Sequence, residues 1–529
     1  MAEADRILSR YSSLQSDRSN FEQMWQQIAE RALPGSASFQ TQRTPGEQRT
    51  ERMYDATAAL ALRKFATIIE SITTPRNARY HRLTTVDEEL AEDHAVKVYL
   101  DEVNTLLFKA RYAPTANFAG QVGGVRLELA AFGTASMYVD DSPQGLRYRA
   151  LPLAETYFSE NHVGLVDTVC RVFQRTARQA VQQWGDRCPD AIRQAVEKSP
   201  DARFTFVHMI EPNDGSREER LRADQAYRSI YVSETGRAVL SVGGYYTWPV
   251  PITRDLTSAG EVYGRSPATW VLPDIKMLNE MNRTVIRAGH KAVDPPILTV
   301  EDGALSAFDM RPGAVNPGGL GPNGEELAKP FQSGARLDIG AELMDRKAQV
   351  INEAFYITLF QILVDNPRMT ATEVLERAAE KGMLLGPLAG RDQSEFLGPM
   401  VERELDLLAR AGRLPQMPEA LLEAGGEYKI EYEGPLARAQ KSQDGVAIMR
   451  TLEGVMPLVA TNPEVLDNYD LDQISRSLGE INGMPSKLLR STDAVAKMRD
   501  DRSQQQDVAE MVNAAPGMAR AVRDVAQVA

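Results

Sequence analysis

The chain has 529 residues, room for several domains and more than one core, and its 60 basic and 73 acidic side chains leave a net charge of −13. That balance excludes a protein whose whole surface traps nucleic acid, so any contact with DNA has to be local or weak. Cys170 and Cys188 lack metal-ligand spacing and are too few for a disulfide framework, which suits a reducing cytoplasm; the sequence has neither an apolar leader nor the ~20-residue apolar run that spans a bilayer, so it reads as soluble, with no membrane partner.

Residues 1 to about 133 read as mostly helical. Phe21, Trp25, Ile28 and Ala29 share one face of a first helix that ends near Leu33-Pro34-Gly35, and a polar loop from Ser36 to Arg49 follows. Tyr54 to Ile72 is a second helix stopped at Thr73-Thr74-Pro75, Asp87 to Lys109 a third, and Thr115 to Gly133 a fourth. From Thr134 the pattern changes to short β-branched or alternating runs bounded by Gly, Pro, Asn and Asp: Ala135–Val139, Leu146–Leu151, Thr168–Phe173, Phe204–Ile210, Tyr227–Val232, Ala238–Val242 and Tyr246–Ile252. One helix, Ala177–Trp184, interrupts them. The middle is therefore antiparallel and β-rich, and the class is α+β with helices and strands segregated.

A single uninterrupted helix is predicted over Pro273–Ala292, between two sharp proline boundaries. Pro273 is acceptable in a first turn, Asp274 suits the positive end of the helix, and Asp294-Pro295-Pro296 forces extended chain afterwards. About 20 residues at about 1.5 Å each make a strut roughly 30 Å long. Ile275, Leu278, Met281, Val285 and Ile286 recur at helical spacing and leave a polar face with Lys276, Glu280, Arg283 and Arg287.

The segment Asp294–Ile339 is dense in proline and glycine, including Pro312, Gly313, Pro317, Gly318, Gly319 and Pro322, and its position between two long helices predicts a projecting contact lobe. A second long helix is predicted from Ala341 to Val364. Its last turns, which hold Phe355 and Leu359, are apolar almost all round and need cover, most simply from neighbouring copies of the chain. Asp365-Asn366-Pro367-Arg368 breaks this helix, and Thr370 to Glu373 restarts one with capping-box spacing. That helix is interrupted near Gly386-Pro387 and resumes with a kink at Gly398-Pro399. A short strand, Tyr428–Tyr432, leads to amphipathic helices up to about Val495, and the tail from Met498 is a surface helix or partly disordered.

The order of words along the chain, Tyr263-Gly264-Arg265-Ser266-Pro267, then Leu272-Pro273-Asp274-Ile275-Lys276 with Leu278-Asn279, then Lys291-Ala292-Val293 before Pro295-Pro296, and finally MTATEVLER with LLGP, resembles the head-to-tail connector (portal) proteins of short-tailed bacteriophages. The resemblance implies a portal-type subunit. It would have a wing (1–262, β-rich over 134–262, plus a long kinked helix over 371–430), two stem helices (263–293 and 341–364), a clip (294–340), a tunnel loop (365–370) and a helical C-terminal crown or barrel (431–529). By the same analogy the chain forms a ring, twelve copies in the family, at one vertex of a virion capsid, and is assembled in the host cytoplasm. Its partners would be further copies of itself, the terminase large subunit, tail or adaptor proteins, capsid and scaffolding proteins, and double-stranded DNA held without sequence preference in the channel. Lys276, Glu280, Arg283, Arg287, Phe355 and Leu359 belong to the implied stem, and Asp365, Asn366, Pro367 and Arg368 to the loop nearest the DNA, where Arg368 meets phosphates transiently. A structural or scaffold virion protein without a channel is the alternative.

Catalytic and cofactor motifs are absent from the sequence. It has no phosphate-binding Gly-x-x-x-x-Gly-Lys-Ser/Thr loop, so a DNA pump must be a separate ATPase. His81, His94, His162, His208 and His290 are scattered, without metal spacing, and no nucleophile elbow surrounds any serine. Glu402, Glu404 and Asp406 read as a solvated helix face, and Trp25, Trp184, Trp248 and Trp270 as core packing. No enzyme and no cofactor is expected. Duplex DNA carries about one charge per 1.7 Å, so a strongly basic wall would hold it and resist sliding, whereas a balanced or acidic chain suits a conduit.

Overall fold

The computed structural model describes residues 2–40, 46–76, 78–213, 225–299, 309, 311, 313–317, 319–330, 337–358, 386–433 and 435–506. The chain divides into two compact units, Met1–Arg76 with Tyr112–Leu407 and Asn77–Arg111 with Leu408–Ala529.

In the first unit, helix Ala2–Ala32 carries Trp25 fully out of water. The indole packs against Phe21, Phe39, Phe132 and Tyr263 at ring separations of 5.2 to 6.4 Å and donates its N–H to the Phe132 carbonyl at 3.2 Å. Apolar bulk with one satisfied polar atom is what lets a tryptophan sit at a junction of several elements. Helix Phe118–Phe132 ends at Gly133, whose φ of 76° gives a left-handed cap with its N–H on the Leu129 carbonyl at 2.8 Å.

The expected β-rich middle is antiparallel throughout. Strands Thr156–Glu160, Val166–Thr176, Arg203–Pro212, Tyr227–Ser233 and Ala238–Tyr245 form a five-stranded meander. Alternation along each strand feeds two cores. Tyr157, Cys170, Val207, Met209, Ile230 and Val232 pack on Ala4, Ile7 and Leu14 of the first helix, while Phe173, Phe206 and Leu240 pack on Ala177, Ala180, Trp184 and Ile192 from helices Ala177–Trp184 and Asp190–Lys198. A three-stranded sheet orders Gly145–Leu151, Thr134–Ser142 and Ile252–Arg254.

Some boundaries differ from the sequence reading. The strand expected over Tyr246–Ile252 is reduced to Ile252–Arg254. Pro249 and Pro251 accept bonds from Val139 and Met137 at 2.9 and 3.0 Å but have no N–H to give back. The third helix is broken into Glu88–Glu92 and His94–Arg111, because Asp93 is extended and its carboxylate accepts from Val96 N at 2.9 Å, as Asp87 does from Glu89 N. The kink near Gly398-Pro399 is a widened turn, Gln393–Leu397, between helices Gly386–Asp392 and Gly398–Arg410. A proline cannot supply the N–H that a regular turn needs there. Glu404 is not on a solvated face: it is buried and accepts the Tyr148 hydroxyl at 2.6 Å, while Asp406 pairs with Arg403 at 3.3 Å. Trp270, expected in the core, is exposed.

In the second unit, strand His81–Thr84 pairs antiparallel with Lys429–Tyr432, His81 opposite Tyr432. Buried Arg111 lies 2.7 Å from the Tyr80 hydroxyl and 2.9 Å from His81 Nε2, and burial, reinforced by this guanidinium, holds His81 well below its usual pKa. Helices Pro435–Thr461 and Leu471–Ile481 follow, and 492–506 is helical.

Candidate functional site: an antiparallel helix pair

The strut is helix Leu272–Val293, with Pro273 in its first turn as the sequence requires. Ile275 and Leu278 are buried. Beside them Asn279, a polar residue on the packed face, bridges backbone of the preceding segment: its side-chain oxygen accepts from Tyr54 N at 2.7 Å and its amide donates to the Arg52 carbonyl at 2.9 Å. Asn282 adds a bond to Asp55 at 3.1 Å. Both ends of one amide are thus used to fix the helix to the chain ahead of helix Thr57–Thr73. Nothing in periodicity marks this role, although a lone asparagine at an apolar position is a usable signal.

The four expected polar residues do not share one environment. Lys276, Glu280 and Arg287 are exposed, and Lys276 reaches Gln27 at 3.1 Å. Arg283 is half-buried over the Tyr54 ring at 5.5 Å, with Glu280 at 3.4 Å.

The second helix is Leu337–Ala354. Asp274 pairs with Lys347 at 2.6 Å, and a methyl group built on Gly340 would touch Val285 at 3.6 Å. Residue numbers rise along one helix as they fall along the other, so the pair is antiparallel. The helix expected to run on to Val364 is broken after Ala354, where Tyr356 turns the chain with a φ of 56°; 357–358 are helical again, and 359–364 lie outside the described residues. Phe355, expected to rely on neighbouring copies for cover, is instead fully buried in its own subunit, 5.9 Å from Phe65, whose ring also stacks on Tyr356. Leu359 and the loop residues Asp365, Asn366, Pro367 and Arg368 lie outside the described residues.

The chain that returns after this segment is anchored by charge. Arg126 and Asp392, both fully buried, pair through two bonds of 2.6 and 2.9 Å, and Thr253 donates to the same carboxylate at 2.8 Å. Next to them Arg254 pairs with Glu395 at 2.7 Å and with Glu160. Elements distant in sequence therefore meet at fixed points, which no short-range pattern could have announced.

A family model described as bacteriophage head to tail connecting protein matches residues 4–489. The chain belongs to this family. It is 30% identical over 525 residues to the probable portal protein of Bordetella phage BPP-1, spanning 95% of this chain and 92% of that protein. It is 26% identical over 521 residues to the portal protein of Salmonella phage epsilon15, spanning 96% and 92%. The chain is accordingly a portal, the head-to-tail connector of a bacteriophage: a structural component of the virion capsid that works as an oligomeric ring, joins head to tail and gives the genome its path during packaging and ejection.

Between these two helices the connector carries an antiparallel ribbon, Ile297–Thr299 with Ala328–Pro330. Beyond it a small hairpin is closed by bonds from Leu327 N to the Gly319 carbonyl at 3.0 Å and from Gly321 N to the Glu325 carbonyl at 2.8 Å. Gly313 and Gly324 adopt φ of 80° and 79°, which explains glycine at these two turns. Pro317 and Pro322 flank them, while Pro312 and Gly318 lie outside the described residues. Among the described residues, no group of three or more His, Cys, Asp or Glu could hold a metal ion, and no helix is long and apolar enough to cross a membrane.

Proposed function

We propose that the antiparallel pair Leu272–Val293 and Leu337–Ala354 is the wall of the connector's DNA channel, and that the Pro/Gly-rich excursion over 294–340 is its docking lobe. The observation that carries this reading is the pairing itself. Two long helices run side by side, are fixed to the rest of the unit by Asn279 and Asn282, and are joined by a small ribbon and hairpin. Exposed Lys276, Glu280 and Arg287 mix both charge signs on one strut, as suits a surface along which DNA slides.

In the proposed ring each subunit uses one heterologous contact repeated until it closes, twelve times by analogy. Leu343 and Val350, two turns apart and exposed on one face of the second helix, are the surface a neighbour would cover. The terminase large subunit supplies the ATPase and docks with tail or adaptor proteins on the 294–340 lobe, scaffolding and capsid proteins meet the wing, and assembly takes place in the host cytoplasm. The loop 365–370, with Arg368, approaches the DNA.

Electron microscopy and native mass spectrometry of the purified full chain test this reading. Rings with a central bore and the two helices against it are expected. Persistent monomers at high concentration, together with particles that show no bore at the portal vertex, would count against it.

A further inference from the structure

Arg171, Phe173 and Arg175 alternate along strand Val166–Thr176 and so share the sheet face that meets helix Ala177–Trp184. With Arg149 from strand Gly145–Leu151 they line a cleft of about 630 Å³. Glu155 is the carboxylate in this cleft, and it is taken by Arg171 at 2.8 Å. Arg175 rests on the Phe173 and Trp184 rings at 5.1 and 5.3 Å, and Arg149 feels Glu155 only at longer range than an ion pair. A smaller cavity of about 140 Å³ continues from the same arginines to His208 and Tyr231, where burial, with help from Arg171 and Arg175, pushes the histidine down to about 3. In the larger cleft three guanidiniums therefore share one carboxylate; Asp140 lines the smaller cavity, where it accepts the Tyr138 hydroxyl and faces Arg403 at 3.8 Å. Burial and repulsion from Arg171 lower the pKa of both Arg149 and Arg175, a sign that the cleft is short of negative charge.

We propose that this cleft binds an acidic peptide segment, two of whose carboxylates pair with Arg149 and Arg175. The bond between Glu155 and Arg171 demonstrates that a carboxylate fits the guanidiniums here. Arg171, at the floor, is only 9% exposed, so a flexible side chain reaches the site while the phosphates of a rigid duplex, arrayed on a convex cylinder, do not. Gln182 and Gln183 at the rim offer amides that match a peptide backbone rather than more cations for a phosphate chain. The assignment is independent of the channel reading.

Fluorescence anisotropy of labelled hexaglutamate with the full-length protein is the test, with inorganic phosphate and a short DNA duplex as competitors. Saturable binding is expected, weakened roughly tenfold or more by the R149Q/R175Q double variant. Because Arg175 packs on Trp184, R149Q alone is the control for folding: it is expected to weaken binding several-fold at an unchanged melting temperature. No saturable binding, binding indifferent to R149Q and the double variant, or displacement by phosphate or duplex at lower concentration than by unlabelled hexaglutamate would overturn the proposal.

Discussion

Arg126 and Asp392 form a two-bond ion pair at 2.6 and 2.9 Å with neither side chain exposed to water, joining helix Phe118–Phe132 to the end of helix Gly386–Asp392, where the widened turn begins. Such a pair is a constraint more than a source of stability, because the desolvation of two charges offsets much of their attraction. Removing one partner is a different matter. Asp392→Ala leaves a buried guanidinium without its counter-ion and is expected to lower stability by roughly 3–5 kcal/mol. The double variant R126M/D392L is expected to recover most of that loss. Urea unfolding of the three proteins measures it, and a wild-type midpoint for D392A would show that the pair is not sealed from water.

Gly133 and Gly264 cross backbone to backbone. A Cβ on Gly264 would lie 2.9 Å from Asp255 N and closer still to the Gly133 carbonyl oxygen, both parts of main chain that cannot swing aside. The glycine of Tyr-Gly-Arg-Ser-Pro is therefore a spacing requirement, and Ser266, two residues on, donates to the Ala131 carbonyl at 2.7 Å. Gly264→Ala is expected to abolish soluble, folded protein. Gly289 gives the opposite forecast. It lies inside the strut helix with nothing within 4 Å of its virtual Cβ, so Gly289→Ala is expected to raise stability by about 0.5–1 kcal/mol. Melting curves of the two variants decide both points.

How far the sequence predicted these features follows from the range of the forces involved. Helix Ala177–Trp184 is read correctly to the residue because Thr176 and Gln179 form a capping box and Gly185 closes the far end, all local signals. The strut is read well because prolines bound it on both sides. Strand Thr156–Glu160, by contrast, is short and follows a proline turn, and it owes its place to pairing with Val166–Thr176. Asn279 and the Arg126–Asp392 pair are non-local: their partners come from residues far along the chain, which periodicity does not contain. The apolar end of the helix after Leu337 is legible as needing cover, but the source of that cover is not, because the turn at Tyr356 folds Phe355 back onto Phe65.

That turn separates two substitutions that periodicity treats alike. Phe355→Ala removes a fully buried ring and is expected to cost the subunit roughly 3–5 kcal/mol, visible in unfolding of the protein whether or not it has assembled. Leu343→Asp, on an exposed position, is expected to leave subunit stability within about 0.5 kcal/mol of wild type while preventing ring closure, since the charge would be buried only in the assembled state. Size-exclusion chromatography with light scattering reads assembly, and circular dichroism reads folding. Rings of L343D with wild-type stoichiometry would place that face outside the contact between subunits.

His208 provides a pH signature with a definite sign. It is buried, bonded to Ser229 Oγ at 2.8 Å and stacked on Tyr231 at 3.8 Å, and burial, followed by the charges of Arg171 and Arg175, pushes it from 6.5 to about 3. In the unfolded chain the imidazole takes up a proton near its ordinary pKa, so between these two values the unfolded state binds more protons than the folded one. Stability that is complete above pH 6.5 is therefore lost as pH falls towards 3, by up to about 1.4 kcal/mol per pH unit from this one group. His208→Gln keeps a side chain that can bond to Ser229 and removes the titration. The difference in stability between wild type and H208Q is expected to be flat above pH 7 and to shift in favour of the variant from about pH 6 to 4.5, before most carboxylates protonate. Parallel acid-limb profiles for the two proteins would mean that the imidazole already reaches water in the folded state.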